Sequence, residues 1–210
     1  MLAACILAHN AVRWLPDAIA SVLGHVDRVH VSVDDRTDDG TLDWLASQAW
    51  LARAGLMYAT YTFQDATVWD GFSGAYNHAM DVAGGDWSFL LDADETIDPG
   101  HAGALRGLVA QADAVGVDCL ALARYNWYDL ARTNLRAEWF PDYQSRLLKR
   151  GVRCIKRVHS QIHGAKVITR VDLKVAALHH FNLAYRDAEA WVPVNVLYDR
   201  LAAMDKADGH

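Results

Sequence analysis

Over the first half of this chain, short apolar runs alternate with segments of helical period, and each run ends on polar residues. Residues 3–8 (AACILA) are apolar without a break, which suits a strand buried on both faces. Trp14 to Leu23 then has helical spacing, with Trp14, Leu15, Ala18, Ile19 and Val22 on one stripe and Gly24 as the stop. Residues 28–33 (RVHVSV) read as a second strand, and Thr41 is placed to cap a helix through Arg53, closed by Gly55. A third strand follows at 56–63, a helix at 71–84, a fourth strand at 86–91, and a further helix at about 99–112. Strands separated by helices of this length require right-handed crossovers. They predict an α/β fold with a mostly parallel sheet and helices on both faces.

After residue 115 the rhythm lapses. Residues 117–128 read as a long strand, while 138–149, 152–158 and 166–178 mix strand-like alternation with charge, which predicts a mixed, antiparallel extension. A last helix is expected from about 186 to 205, broken or kinked near Pro193, with Asp199, Arg200 and Asp205 on a solvated side and a frayed tail after Lys206. The 210 residues suit one domain, read as a nucleotide-binding half (about 1–115), an acceptor and catalytic half (about 116–183) and a C-terminal helix and tail (about 184–210). That helix is the expected surface for any self-association.

Composition narrows the function. With 26 acidic against 20 basic residues the net charge is −6, which disfavours a nucleic-acid binder. Cys5, Cys119 and Cys154 are scattered and form no C-x-x-C pair, so neither a disulfide framework nor a thiolate zinc site is expected. The N-terminal apolar run is short and lacks a preceding basic residue, and no uncharged run approaches the ~18 residues of a spanning helix. The expectation is a cytoplasmic protein with no transmembrane segment.

In an open parallel sheet, ligands bind outside the carboxyl ends of the strands. Asn10 follows the first strand, Asp34 and Asp35 the second, and Asp92, Asp94 and Glu95 the fourth. Carboxylates gathered on one rim repel unless a cation joins them, and hard oxygen ligands suit Mn²⁺ or Mg²⁺ bridged to phosphate oxygens. The strongest local signal is GGDWSFLLDADET (84–96), where alternation would point Asp92 and Asp94 the same way while Ala93 leaves room. Taken alone, the same residues also read as a solvated strand-to-helix loop with Asp98 as a cap.

Five segments, in order, resemble family 2 glycosyltransferases of the GT-A fold. Ile6-Leu7-Ala8-His9-Asn10 resembles their opening nucleotide-binding strand, and Val31 to Thr41 (VSVDDRTDDGT) resembles their "VDDGSTDGT" segment. Phe72 to Asn77, followed by Ala83 to Trp87, resembles the helix leading into the metal strand, and Leu91 to Glu95 the metal motif itself. Phe140 to Leu147 (FPDYQSRL) resembles a "PDxQxRL" segment of some branches. The ordered set spans about residues 3–180 and is far more specific than any one motif.

The resemblance implies a GT-A-like (Rossmann-like) sheet, a nucleotide-diphosphate sugar donor, with a UDP-sugar the first expectation, and a divalent cation on the diphosphate. It also implies transfer, usually with inversion, to an acceptor that could be a glycan, a lipid-linked sugar or a protein. Carried over by position, Ala8 and Asn10 line the nucleotide pocket, and Asp34, with Asp35 as substitute, faces the base or ribose. Asn77, Ala93 and Arg146 join the donor site. Asp92 sits near ribose and metal, and Asp94 ligates the metal with His180 or His179. Departures are Tyr76 where many members have Arg, Arg36 for the usual Gly, and Ser160 where some relatives have Glu. With tyrosine at position 76, a cation for the donor would have to come from Arg13, Arg36 or Arg146.

Inversion needs a carboxylate to take the acceptor's proton. Asp142 is the first choice and Glu138 the second. The competing reading has Asp142 capping a helix and pairing with Arg146 at i+4. The basic stretch from Arg146 to Arg157 reads as a solvated strand edge, Arg146 excepted. Trp69, Trp127 and Trp139 fall in loop or rim segments where they could stack on a sugar. A nucleotidyltransferase is disfavoured because no glycine-rich basic loop follows the first strand. An inactive nucleotide-sugar- or glycan-binding module on the same fold stays open.

Overall fold

In the computed structural model, which describes residues 1–185 and 188–210, the chain forms β1 (Leu2–Ala8), α1 (Leu15–Val22), β2 (Arg28–Asp34), α2 (Thr41–Ser47), β3 (Leu56–Tyr61), α3 (Gly71–Ala83), β4 (Trp87–Asp92) and β5 (Glu95–Ile97). It continues through α4 (Leu105–Val115), β6 (Cys119–Asn126), β7 (Asp142–Lys149), β8 (Arg153–Ile155), β9 (Gln161–His163), β10 (Ile168–Arg170), β11 (Ala177–His180), α5 (Asn182–Tyr185) and α6 (Ala188–Ala207). The main sheet runs β3-β2-β1-β4-β7-β6-β11-β5, with β10 also on β6, while β8 and β9 form a separate hairpin.

β1 lies inside the sheet because both its faces are apolar. Ala4, Ile6 and Ala8 join Leu15, Ile19 and Val22 of α1 and Leu105 of α4 in one core. Ala3 and Cys5 join Tyr76, Ala79, Met80 and Ala83 of α3 in another. β4 divides likewise, with Phe89 and Leu91 toward α1 and Leu90 toward α3. The expected crossovers follow, with β1, β2, β3 and β4 paired in parallel. The antiparallel extension is β7, which pairs against both β4 and β6. Beyond it the extension is mixed, as expected: β10 and β11 run parallel to β6, and β11 runs antiparallel to β5.

Other differences are local. Thr41 is the first residue of α2 rather than its cap; the cap position is Gly40, Asp39 before it accepts the Thr41 N–H at 3.0 Å, and the buried Thr41 hydroxyl accepts the Ala11 N–H at 2.9 Å. β5 was not expected. It breaks the run after Asp92, so Ala93 and Asp94 form a turn and the strand alternation does not carry through the D-x-D. The expected start of the last helix at 186 lies outside the described residues, and α6 carries Pro193 inside it.

The largest correction concerns Arg157. It is not on a solvated edge but 2% exposed, and Asp205, expected on a solvated helix face, is buried beside it at 2.8 Å. Arg157 also donates to the carbonyls of Asp65 and Ala66 and pairs with Asp208 at 2.8 Å, so the tail after Lys206 is tied down. Its own carbonyl accepts the N–H of Phe72 at 2.9 Å, at the start of α3. Gly71 must be glycine there: its φ is +66°, and a Cβ would lie 2.4 Å from that carbonyl oxygen.

Candidate active site

Two constructions meet at the carboxyl ends of the strands. The first is a rim made by the loops after β1 and β2. Asn10, at φ 48°, donates its amide to Asp38 at 3.0 Å and accepts the Asp38 N–H at 2.9 Å. Val12 donates its N–H to Asp39 at 3.0 Å, so the two loops hold each other, with Ala8 buried beneath them. Asp34 ends β2, as expected, but its carboxylate is already engaged. Arg36 grips it through Nε at 2.8 Å and a terminal nitrogen at 2.5 Å, with its guanidinium 5.0 Å from the Phe63 ring. Burial would raise the Asp34 pKa, and the Arg36 bonds more than offset this and lower it. Asp35 accepts the Thr62 hydroxyl at 2.7 Å.

The second construction is a buried charge cluster under β4, β6 and β7. Glu95, wholly buried, accepts from Arg124 at 3.0 Å and from Arg146 at 2.5 Å. Arg146 also pairs with Asp92 at 2.9 Å, and the Tyr76 hydroxyl donates to the same carboxylate. Arg124 reaches the other way, to Asp142 at 2.7 Å. Glu95 therefore joins the arginine that holds Asp92 to the arginine that holds Asp142. Burial pushes against ionisation of Asp92, yet Arg146 and the Tyr76 hydroxyl hold its carboxyl well below the usual range. Tyr76 moves oppositely: burial and then Asp92 hold its hydroxyl well above its usual value, so it stays a proton donor. With tyrosine at position 76, the cation beside Asp92 is Arg146.

Asp142 opens β7, which excludes the helix cap and the i+4 pairing with Arg146. Its Oδ2 takes Arg124 and the Asn126 amide (3.1 Å), while Oδ1 takes the Gln144 amide at 2.6 Å. Burial raises its pKa, and Arg124 and Asn126 outweigh that and lower it, so Asp142 is ionised at neutral pH.

The adjacent histidines of β11 separate cleanly. His180 Nδ1 lies 2.7 Å from Asn126 Oδ1. Because the Asn126 amide nitrogen donates to Asp142, its oxygen must accept, so His180 carries its proton on Nδ1. In the neutral ring Nε2 then presents a lone pair, 3.5 Å from Asp94 Oδ1. His179 points elsewhere. Its Nδ1 accepts Trp127 Nε1–H at 2.9 Å and its Nε2 faces Asp98 at 3.0 Å, leaving no ring nitrogen for a metal. Burial, partly opposed by Asp98, lowers its pKa.

Several expected residues lie outside this gathering. Asn77 has both amide atoms on the Cys154 backbone, at 2.8 and 2.9 Å, and holds β8 rather than facing a ligand. Glu138 is exposed and bonded to Arg136 at 3.0 Å, apart from the cluster. Ala93 is buried in the turn between Asp92 and Asp94. Trp69 packs edge-on to His163, and Trp139 lies under the Arg136 guanidinium at 3.2 Å. Ser160 shares a hydrogen bond with Ser73 at 2.7 Å. Sequence reasoning passed over Arg124 and Asn126. The signal was present: a lone arginine inside an apolar strand (VDCLALARYNWY) demands a buried carboxylate.

The donor set suits a divalent cation in part. Among the described residues no three His, Cys, Asp or Glu side chains converge as a ready-made metal cage. Asp94 and His180 form a two-ligand pair, which is the number Mg²⁺-type ions take when phosphates complete the shell. Around it, the carboxylates of Asp92, Asp94, Glu95 and Asp142 face the guanidiniums of Arg124 and Arg146, leaving two negative charges.

The chain is similar to known proteins in sequence and in fold. The sequence model described as Glycosyl transferase family 2 matches residues 3–173. A TPR repeat-containing protein of Synechococcus elongatus is 33% identical over 93 residues, 44% of this chain, and the match spans only 20% of that protein. The fold is similar to S. aureus TarS 1–349, with TM-score 0.58 and 13% identity over 85% of this chain and 60% of that one. It is also similar to the mannosyltransferase PcManGT of Pyrobaculum calidifontis, solved with GDP-Man and Mn²⁺, with TM-score 0.51 and 14% identity over 71% of this chain and 44% of that one. No helix among the described residues is long and apolar enough to cross a membrane.

Proposed function

Since the chain belongs to glycosyl transferase family 2 and is a glycosyltransferase, we propose that it moves a sugar from a nucleoside-diphosphate donor to an acceptor hydroxyl with inversion, and that Asp142 takes the proton. The observation that carries this reading is the bonded line His180–Asn126–Asp142. One amide orients the ring beside Asp94 and a carboxylate on the acceptor side. In-line displacement needs this separation of a phosphate-side group and a base.

The nucleoside lies against Ala8, Asn10 and Asp34, where Arg36 must share or release the carboxylate. Arg146, whose buried Nε–H has no partner among the described residues, fixes Asp92 beneath the donor. Asp94 and His180 would hold Mn²⁺ or Mg²⁺, which when bound stabilises the charge left on the departing diphosphate. PcManGT, solved with Mn²⁺, supports that reading. A UDP-sugar is the first donor to test, and a GDP-sugar the second. Asp142 Oδ1, bonded only to Gln144 among the described residues, is the oxygen that accepts the acceptor's proton. Its lowered pKa keeps it ionised, so it is ready without a prior deprotonation. The buried, unpaired Cys5, Cys119 and Cys154 suit the cytoplasm as the compartment.

The test is titration calorimetry of UDP and GDP with and without Mn²⁺, on the wild type and on Asp94→Asn, followed by turnover of a nucleotide-sugar panel. Metal-dependent binding lost in Asp94→Asn supports the assignment. Binding indifferent to both chelator and mutation overturns it, and a product of retained anomeric configuration removes Asp142 as base.

A further inference from the structure

The rim around Asp34 is fastened from outside the residues that match the family. The family match covers residues 3–173, whereas α6 spans Ala188–Ala207. We propose that α6 positions the nucleoside site: Tyr198, acting through Phe72 and Phe63, and Arg200, acting through Asp65, keep the Arg36 guanidinium on Asp34. The proposal rests on the glycosyl-transfer reading, which puts the nucleoside against Asp34, and adds two positioning residues to it.

Three observations carry it. First, the contacts are continuous. The Arg36 guanidinium lies 5.0 Å from the centre of the Phe63 ring, within cation–π range. Phe63 meets Phe72 edge-on with ring centres 5.4 Å apart, and Phe72 meets Tyr198 edge-on at 5.6 Å, both within the range at which aromatic pairs attract. Second, the charges are shared out in one way. Asp34, Asp35 and Asp65 all attract Arg36. The Thr62 hydroxyl donates to Asp35 at 2.7 Å and Arg200 takes Asp65 at 2.7 Å, so Arg36 is left to Asp34. Third, the segment between rim and helix is held from both sides. Thr62 ties it to the rim through Asp35, and Arg157, paired with Asp205 of α6 at 2.8 Å, holds the carbonyls of Asp65 and Ala66.

Arg36 needs such help. Its side chain is 55% exposed, and an ion pair that open holds itself only weakly, so where the guanidinium sits depends on what packs against it. Phe63, Phe72 and Tyr198 are half-buried, and among the described residues none of them belongs to either core beside the sheet. A change in one of these rings therefore reaches the rim without opening a cavity in either core.

The Asp34 carboxyl reports the outcome directly, because Arg36 lowers its pKa, with a further contribution from His9. Its titration is followed by carbon-13 NMR, with the unfolding temperature alongside, in the wild type, Tyr198→Ala, Tyr198→Phe, Arg200→Ala and Arg36→Ala. Arg200 is exposed, so its replacement does not threaten folding and keeps the test decisive if Tyr198→Ala does not fold. The expected result is that Asp34 titrates higher in Tyr198→Ala and in Arg200→Ala, toward its value in Arg36→Ala, and as in the wild type in Tyr198→Phe, which keeps the ring. Adding Tyr198→Ala to Arg36→Ala moves it no further, because changes that act through one group do not add. Calorimetry of UDP and GDP with Mn²⁺ then reads the site itself: Tyr198→Ala shifts nucleotide affinity by about threefold or more, in the direction that Arg36→Ala shifts it. A wild-type Asp34 titration in either variant that folds overturns the proposal, as does a full further shift in the double variant. Nucleotide affinity moved by Arg36→Ala and unmoved by Tyr198→Ala overturns it too. The expected titration shifts in a protein that binds neither nucleotide leave the hold of α6 on Arg36 standing and overturn the glycosyl-transfer reading instead.

Discussion

The rim after β1 and β2 and the cluster under β4, β6 and β7 lie at neighbouring strand ends and are held in different ways. In the rim, Asp34 is gripped from two residues away by an Arg36 that is 55% exposed, and Asn10 bonds Asp38 across an open loop. In the cluster, Glu95 is fully buried and its partners come from β6 and β7, 29 and 51 residues on. Exposed pairs are worth about 0–1 kcal/mol each, so a ligand can rearrange the rim at little cost. Breaking a buried pair costs about 3–5 kcal/mol, because the surviving charge is stranded. The rim can therefore rearrange around a ligand, while the cluster holds Asp92 and Asp142 through Glu95 and its two arginines.

The sharpest way to break this contrast is Asp142→Asn, which keeps the side chain's shape. Turnover should fall by about 10²–10⁴ with nucleotide affinity nearly unchanged, measured by steady-state kinetics beside calorimetry. Full turnover in this variant would move the base elsewhere, and Glu138 is the residue to examine next. Glu95→Ala comes second. It leaves Arg124 and Arg146 facing each other and should cost about 3–5 kcal/mol in urea unfolding. A loss below about 1 kcal/mol would show the cluster to be as soft as the rim.

Acid titration comes third. Asp92 and Asp142 have folded pKa values below their unfolded ones, so the stability they give is fully present above about pH 4 and drains away as pH falls through the lower folded values. Asp92→Asn should flatten the stability curve below pH ~4 more than Asp34→Asn does, since Arg146, the partner of Asp92, is 7% exposed and Arg36, the partner of Asp34, is 55% exposed. Equal flattening would erase the distinction. The smallest effect is expected from Arg36→Ala, a change of less than about 1 kcal/mol in stability. Nucleotide affinity should nonetheless shift, because Asp34 is freed; an unchanged affinity would separate Asp34 from the nucleoside.

The same contrast explains what could be read from sequence. β1, β2 and β4 were legible because a strand buried on both faces leaves an unbroken apolar run. Asn10, Asp34, Asp92 and Asp94 were legible because such strands deliver them to one end. β5, at three residues, leaves no periodic signal, and with it the turn that separates Asp92 from Asp94 was missed. His179 and His180 could not be told apart, since the choice depends on which face of β11 meets Asn126 and which meets Trp127. Arg157 looked like one more edge cation because its partner is far along the chain.

That distance has a consequence for how the protein is made. Arg157 gathers the carbonyls of Asp65 and Ala66 and touches the start of α3, but its counter-charge at Asp205 is encoded 48 residues later. During synthesis every residue assigned here to nucleotide, metal or base emerges from the ribosome before Asp205 does. The segment around Arg157 then holds a cation it cannot bury, so the loop ahead of α3 stays unfastened until α6 arrives. Synthesis of the candidate site residues therefore precedes synthesis of the counter-charge that Arg157 needs.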